Sequence, residues 1–217
     1  QVNKFVKKNK PDFIINCAGK VGGILANSID PLNFLTQNLE IQLNILKACI
    51  ENEIKYFINL GSSCIYPKYA NQPIIEEELL KGTLEPTNQW YAIAKISGIK
   101  LCEALKKQYG FNAISLMPTN LYGPGDNYDL KNSHFFPALL SKIYNAKKYH
   151  KKNIVLWGNG KSKRELLYVD DLARACEFFL KKNTKHTLIN IGSGVEKSIK
   201  DFAKFIMRKM KVDLEID

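Results

Sequence analysis

Three residues set the chemistry. Ser62 follows the run Leu60-Gly61 at the end of an apolar stretch, and Tyr91 and Lys95 stand at positions i and i+4 of Tyr-Ala-Ile-Ala-Lys. On a helix that spacing puts both side chains on one face, so the Lys95 ammonium is expected to lie near the Tyr91 phenol and favour its ionised form. A serine and a tyrosine hydroxyl converging on one oxygen are what carbonyl reduction needs. Both polarise the C=O, the phenol gives the proton, and a nicotinamide gives the hydride. Tyr-x-x-x-Lys also arises by chance on amphipathic helices; the strand-Gly-Ser-Ser run ahead of it is what gives the pair meaning here.

A strand, a turn and a helix must hold these groups. Tyr56–Leu60 reads as a buried strand with Ser62 just past its carboxyl end, the edge at which parallel sheets bind ligands. Pro11–Gly19 reads as another continuous apolar strand, buried on both faces, and Phe111–Met117 as a third. Val21-Gly22-Gly23-Ile24 is either a plain turn or a glycine loop that lets a cofactor approach the backbone. Asp30-Pro31 opens a long helix with Phe34, Leu35, Leu39, Leu43, Ile45, Leu46 and Ile50 at helical spacing. Alternating strands and helices predict a doubly wound α/β sheet.

From Asn127 the pattern changes. A loop leads to a helix over 133–149, a short strand Ile154–Trp157 and a polar Gly158-Asn159-Gly160 turn, after which Leu167–Lys182 reads as a helix returning to the first domain. The expected division is residues 1–125 and 167–192 in one domain, 126–166 and 193–217 in a smaller second. No G-x-G-x-x-G or G-x-x-G-x-x-G follows any strand, although a dinucleotide fold begins with such a turn. The expectation is a chain that starts after the fold has begun, lacking on the order of 45 residues of βαβ structure, and that stops on a new strand.

The chain has 217 residues, 45% of them hydrophobic, and a net charge of +11. That supports one domain and part of another. Its five cysteines include no C-x-x-C, so reduced thiols in the cytoplasm, with no metal site, are the natural reading. No apolar run reaches spanning length and Gln1–Lys10 has no signal-peptide core, so no membrane is expected. The lysines are scattered without interleaved aromatics, which argues against nucleic acid and suits phosphorylated nucleotide ligands.

The segments GSSCIYPK, GTLEPTN, YAIAKISGIKLCE, MPTNLYGPGDN and NSHFFPALL, in this order and spacing, resemble the GDP-L-fucose synthase family of extended short-chain dehydrogenase/reductases, from Pro11 to about Ile191. The resemblance implies a Rossmann-type cofactor domain with a smaller substrate-binding domain. It also implies NADPH-dependent 3,5-epimerisation and 4-reduction of GDP-4-keto-6-deoxy-D-mannose to GDP-L-fucose. Ser62, Tyr91 and Lys95 match the catalytic trio, and Cys64 and His134 the residues that move protons at C3 and C5. Taken without the resemblance, those last two read as a packed thiol and a helix-start histidine. Cofactor contacts fall on Leu60, Gly61, Ser62, Ser63, Lys95, Pro118, Thr119, Asn120, Leu121 and His134, and sugar-nucleotide contacts on Lys142, Trp157 and Arg164.

Lys142 stands where the family commonly has arginine, and Gly19 where it has alanine. Related dehydratases carry Asp-Glu at the positions of Ser63-Cys64, and 4-epimerases carry Thr or Ser at that of Cys64. The helices over 31–51 and 89–108 are implied to form a homodimer interface, with burial against the chain's own sheet as the other reading. One alternative activity is 4-reduction alone, on a related GDP-4-keto-6-deoxy sugar such as a heptose. Another is a non-catalytic protein on the same scaffold, whose mark would be a broken Ser/Tyr/Lys set.

Overall fold

In chain order the elements of the computed structural model are α1 (Val2–Asn9), β1 (Phe13–Asn16), α2 (Ile24–Ile29), α3 (Pro31–Glu51) and β2 (Tyr56–Leu60). There follow α4 (Gln89–Tyr109), β3 (Ala113–Pro118), β4 (Asn120–Tyr122), α5 (Phe135–Lys148) and β5 (Asn153–Ile154). The last are β6 (Lys163–Tyr168), α6 (Val169–Lys181), β7 (Leu188–Ile191), β8 (Glu196–Ser198), α7 (Ile199–Met210) and β9 (Glu215–Ile216). The structure describes residues 1–130, 133–182 and 184–217; Asn132, which opens the NSHFFPALL motif, lies outside the described residues. The chain divides into two units, Gln1–Thr119 with Asp171–Ile191, and Asn120–Asp170 with Gly192–Asp217.

The first unit is built on a parallel sheet in the order β1-β2-β3-β7, so the fold is the expected Rossmann-like α/β arrangement. The apolar runs foreseen as strands are strands, trimmed to Phe13–Asn16 at β1 and running to Pro118 at β3. Every residue of β3 is buried, as a central parallel strand requires. Helices α3 and α4 pack on one another, and their inner faces meet β2 and β3 through Leu46, Ala48, Cys49, Phe57, Cys102 and Ala113. Asp30-Pro31 opens α3, although the Asp30 carboxylate serves Lys20 and Asn33 instead of capping the helix. Gly110 ends α4 in the left-handed conformation that glycine adopts without steric cost.

One row crossing this sheet is polar. Register sets Asn16 of β1 beside Asn59 of β2, and Asn59 beside Ser115 of β3. Asn16 Nδ2 donates to Asn59 Oδ1 at 3.4 Å, and Asn59 Nδ2 to the Ser115 hydroxyl at 3.5 Å. These buried groups partner one another across strands, which is how a sheet interior admits polar side chains.

In the second unit β6 pairs with β4 in parallel and β8 antiparallel, while β5 pairs with β9 in parallel. Its core is Leu139, Ile143 and Ala146 of α5 against Phe202, Ala203, Ile206 and Met207 of α7. Ser198 caps α7, its Oγ accepting from Asp201 N at 3.0 Å. Two readings of the sequence are corrected here. Leu167 and Tyr168 belong to strand β6, and the helix starts at Val169, because Leu166–Tyr168 are taken up pairing with β4. The strand expected over Ile154–Trp157 is confined to Asn153–Ile154, the residues in register with β9. Among the described residues no helix is long and apolar enough to cross a membrane.

Candidate active site

Strand β2 delivers its chain to the sheet edge at Leu60, where three residues in succession are shaped by what they face. Gly61 N donates to Leu116 O at 2.9 Å, continuing the ladder by one bond. A Cβ at Gly61 would overlap the end of the Met117 side chain, which would have to move to admit any other residue. Ser62 then caps a single 3₁₀ turn, Ser63–Ile65, its Oγ accepting from Cys64 N at 3.4 Å. Because Oγ is the acceptor in that contact, the Ser62 hydroxyl proton remains available to donate. Ser63 is exposed and Cys64 half-buried.

Helix α4 brings Tyr91 and Lys95 to the same place. Lys95 is only 4% exposed, yet its Nζ donates to Leu60 O at 3.0 Å and lies 5.7 Å from the centre of the Tyr91 ring. The Tyr91 phenol is within hydrogen-bonding reach of Ser62. Ser62, Cys64, Tyr91 and Lys95 are therefore assembled at one point.

Their electrostatics depart from that reading. Burial pushes the Tyr91 phenol well above its usual value of 10.0, Cys64 would push it further when ionised, and only the hydrogen bond with Ser62 draws it back. Lys95 is no counterweight: its ammonium is spent on a backbone carbonyl and sits over the ring. Burial also lowers Lys95 below its ordinary 10.5. The phenol is thus a neutral acid, which is the form a proton donor needs. Burial likewise raises the Cys64 thiol to about 11, against the opposing pull of Ser62 and the Lys95 charge. At neutral pH Cys64 is a thiol and not the thiolate that a base requires.

Three contributors escaped the sequence reading. Asn38 of α3, buried, accepts from Lys20 N at 3.0 Å and donates to Lys20 O at 3.0 Å, pinning the loop after β1. A Cβ at Gly19 in that loop would lie 3.6 Å from Lys95 Nζ, so the loop forms one wall of the lysine's site. Phe34 meets the Tyr91 ring edge to face, centroids 6.4 Å apart. Cys17 at the end of β1 also feels the Lys95 charge. A signal was present for Asn38, a polar residue one turn after Phe34 in an otherwise apolar stripe.

Pro118 is the last residue of β3, and Thr119 N donates to Ile191 O at 3.0 Å. The Thr119 hydroxyl is buried with no hydrogen-bond partner among the described residues. A buried orphan hydroxyl at the carboxyl edge of a parallel sheet fits a polar ligand such as a dinucleotide. Buried Lys95, a cation beside the same edge, fits it too.

The remaining expected residues lie in the second unit. Asn120 Nδ2 donates to Glu165 O at 3.0 Å, and Leu121 is half-buried in β4. His134 is exposed and begins α5 without capping it through its side chain. Lys142 Nζ donates to Val155 O at 3.0 Å and stands 5.3 Å over the Trp157 ring, which is 73% exposed. The structure pairs these two. Arg164 is exposed, its Nη1 donating to Lys163 O at 2.7 Å, and is not joined to them.

Residues 1–192 match the Epimerase model, described as the NAD dependent epimerase/dehydratase family. GDP-L-fucose synthase of Sinorhizobium fredii is 51% identical over 208 residues, 96% of this chain and 66% of the relative. The chain thus spans about two thirds of that relative's length. A GDP-L-fucose synthetase of Naegleria fowleri bound to NADP superposes with a TM-score of 0.89 at 29% identity, covering 99% of this chain and 66% of that one. A GDP-mannoheptose C4 reductase of Campylobacter jejuni with NADP bound gives 0.87 at 33%, covering 100% and 74%.

Proposed function

We propose, from the premise that the chain belongs to the NAD dependent epimerase/dehydratase family, that it serves an NADPH-dependent 3,5-epimerisation and 4-reduction of GDP-4-keto-6-deoxy-D-mannose to GDP-L-fucose. The observation that carries the reading is the convergence of Ser62, Tyr91 and Lys95 with Cys64 at the end of β2. The Sinorhizobium fredii relative's name supplies the substrate class.

NADPH, when bound, supplies the hydride. In this chain Tyr91 donates its proton to the sugar oxygen, and the Ser62 hydroxyl donates a second hydrogen bond to it. Lys95 is the cation placed beside the resulting phenolate, and release of its ammonium from Leu60 O toward that oxygen is what would favour the anion. Lys95, Thr119 and the backbone from Leu60 to Ser63 and Pro118 to Leu121 hold the cofactor. We assign proton movement at C3 and C5 to Cys64 and His134. Burial opposes the Cys64 thiolate, while Lys95 and Ser62 favour it, so deprotonation accompanies substrate binding. Lys142 and Arg164 meet the diphosphate and Trp157 stacks on a ring of the sugar nucleotide. A homodimer through α3 and α4 is supported by exposed Leu43, Ile50, Trp90 and Ile93, and a cytoplasmic setting by five free cysteines. Reduction of a heptose without epimerisation is disfavoured, since its named representative shares 33% identity and the named synthase 51%.

The test is product stereochemistry in deuterated water. Wild type is expected to give GDP-L-fucose carrying deuterium at C3 and C5, and Cys64→Ser, a far weaker base of similar size, to lose that deuterium while still reducing a ketone slowly. A wild-type product with no deuterium would leave reduction alone.

A further inference from the structure

One buried side chain in the helix layer behind the site keeps an oxygen without a partner among the described residues. Gln42 of α3 is 2% exposed, one turn after buried Asn38 and one turn before buried Leu46, at a depth where an apolar residue is the usual occupant. Its Nε2 donates at 2.9 Å to Asn38 O in its own helix and at 2.9 Å to Ala94 O in α4. Its Oε1 has no partner among the described residues. Facing it, Gly98 leaves the space the carboxamide occupies: a Cβ there would overlap Gln42 Oε1. A leucine or methionine would fill this interface without stranding an oxygen, so stability alone does not account for glutamine.

The placement of the bond does. Ala94 and Gly98, at i and i+4, form the seam of α4 that faces α3 at Gln42, while Tyr91 and Lys95 form the seam roughly 60° further round the same helix. Lys95 adjoins Ala94 in sequence, and its ammonium reaches Leu60 O across the site. A roll of α4 by several degrees moves that ammonium on the order of 1 Å, enough to disturb a catalytic geometry. The Gln42 donor to Ala94 O, seated in the Gly98 notch, opposes such a roll.

We infer that Gln42 is a positioning residue which, through Ala94 and the Gly98 notch, fixes the rotation of α4 and hence the placement of Lys95 and Tyr91. The inference rests on the reductive role proposed above for that pair.

The test is made on two variants of the purified protein, Gln42→Met and Gly98→Ala. The first removes both donors at constant length; the second leaves Gln42 present and displaces its carboxamide. In each, kcat for reduction is expected to fall about tenfold, with KM within about twofold and the Gln42→Met melting temperature unchanged or raised. The second readout needs no sugar substrate. Competitive acetylation by acetic anhydride, followed at the Lys95 peptide across pH, reports the ammonium's titration among the groups facing it, Cys17, Cys64 and Tyr91. That curve is expected to shift in both variants. An unshifted Lys95 curve in both overturns the inference, whatever the protein reduces. So does a kcat loss that follows melting temperature with the pH profile intact. Shifted Lys95 curves in both variants of a protein whose wild type is inert toward GDP-4-keto sugars support the positioning role and sink only the proposed substrate.

Discussion

Tyr91 is held as a neutral acid by its own burial, with Ser62 as its hydrogen-bonding partner and Lys95 engaged elsewhere. If that phenol delivers the proton, Tyr91→Phe removes the donor and keeps the ring against Phe34. The rate of NADPH oxidation by the keto sugar is then expected to drop by roughly 10²–10⁴-fold, the usual weight of an acid–base residue. Circular dichroism should be unchanged. Turnover near the wild-type rate would remove Tyr91 from the chemistry. Cys64 is the residue whose state matters most to epimerisation. Its thiol at about 11 is protonated at neutral pH, so deuterium incorporation is expected to rise with pH in wild type and to be lost in Cys64→Ser.

At the scale of elements, the β2 edge and the α3–α4 layer each make a measurable demand. Gly61→Ala sets a methyl into Met117 in a fully buried strand. Overpacking of this kind costs about 1–3 kcal/mol. A lower urea midpoint is expected; a midpoint equal to wild type would show that the strand end yields freely. The helix layer also holds Cys49 and Cys102, fully buried, whose thiols burial raises from 9.0 to about 12. The sign follows from which state holds protons longer. Above 9 the unfolded chain loses these protons while the folded chain keeps them, so stability is fully present below 9 and falls as pH rises toward 12. Each thiol contributes a slope of at most about 1.4 kcal/mol per pH unit. Urea midpoints from neutral to alkaline pH should therefore decline, less steeply in Cys49→Ala/Cys102→Ala. Equal slopes would assign the decline to other groups.

At the scale of the whole molecule, α3 and α4 present apolar side chains outward as well as inward: Leu43, Ile50, Trp90 and Ile93 are exposed while Leu46, Cys49, Ile96 and Ile99 are buried. In the homodimer proposed above these outward side chains form the shared face. Light scattering at micromolar concentration is expected to give a dimer for wild type and a monomer for Leu43→Lys/Ile93→Lys. A monomeric wild type would return those residues to the ordinary apolar share of a surface.

The linear chain determined the strands, because an apolar run such as Tyr56–Leu60 or Ala113–Met117 has few places to go except the middle of a parallel sheet. It foreshadowed the convergence of Ser62, Tyr91 and Lys95 as well, since Ser62 follows a strand and Tyr91 and Lys95 share a helix face by spacing alone. It misplaced the junction at Leu167, where pairing with β4 took residues that periodicity gave to the helix. Only the tertiary structure decided what each site group does with its proton. The shifts at Tyr91, Cys64 and Lys95 come from burial and from partners remote in sequence, Leu60 O among them. The same holds for Asn38 and Gln42. In the sequence they are polar interruptions of an apolar stripe, and they acquire a purpose only when folding sets Lys20 and Ala94 against them, because a buried carboxamide is tolerable where the backbone groups that satisfy it arrive.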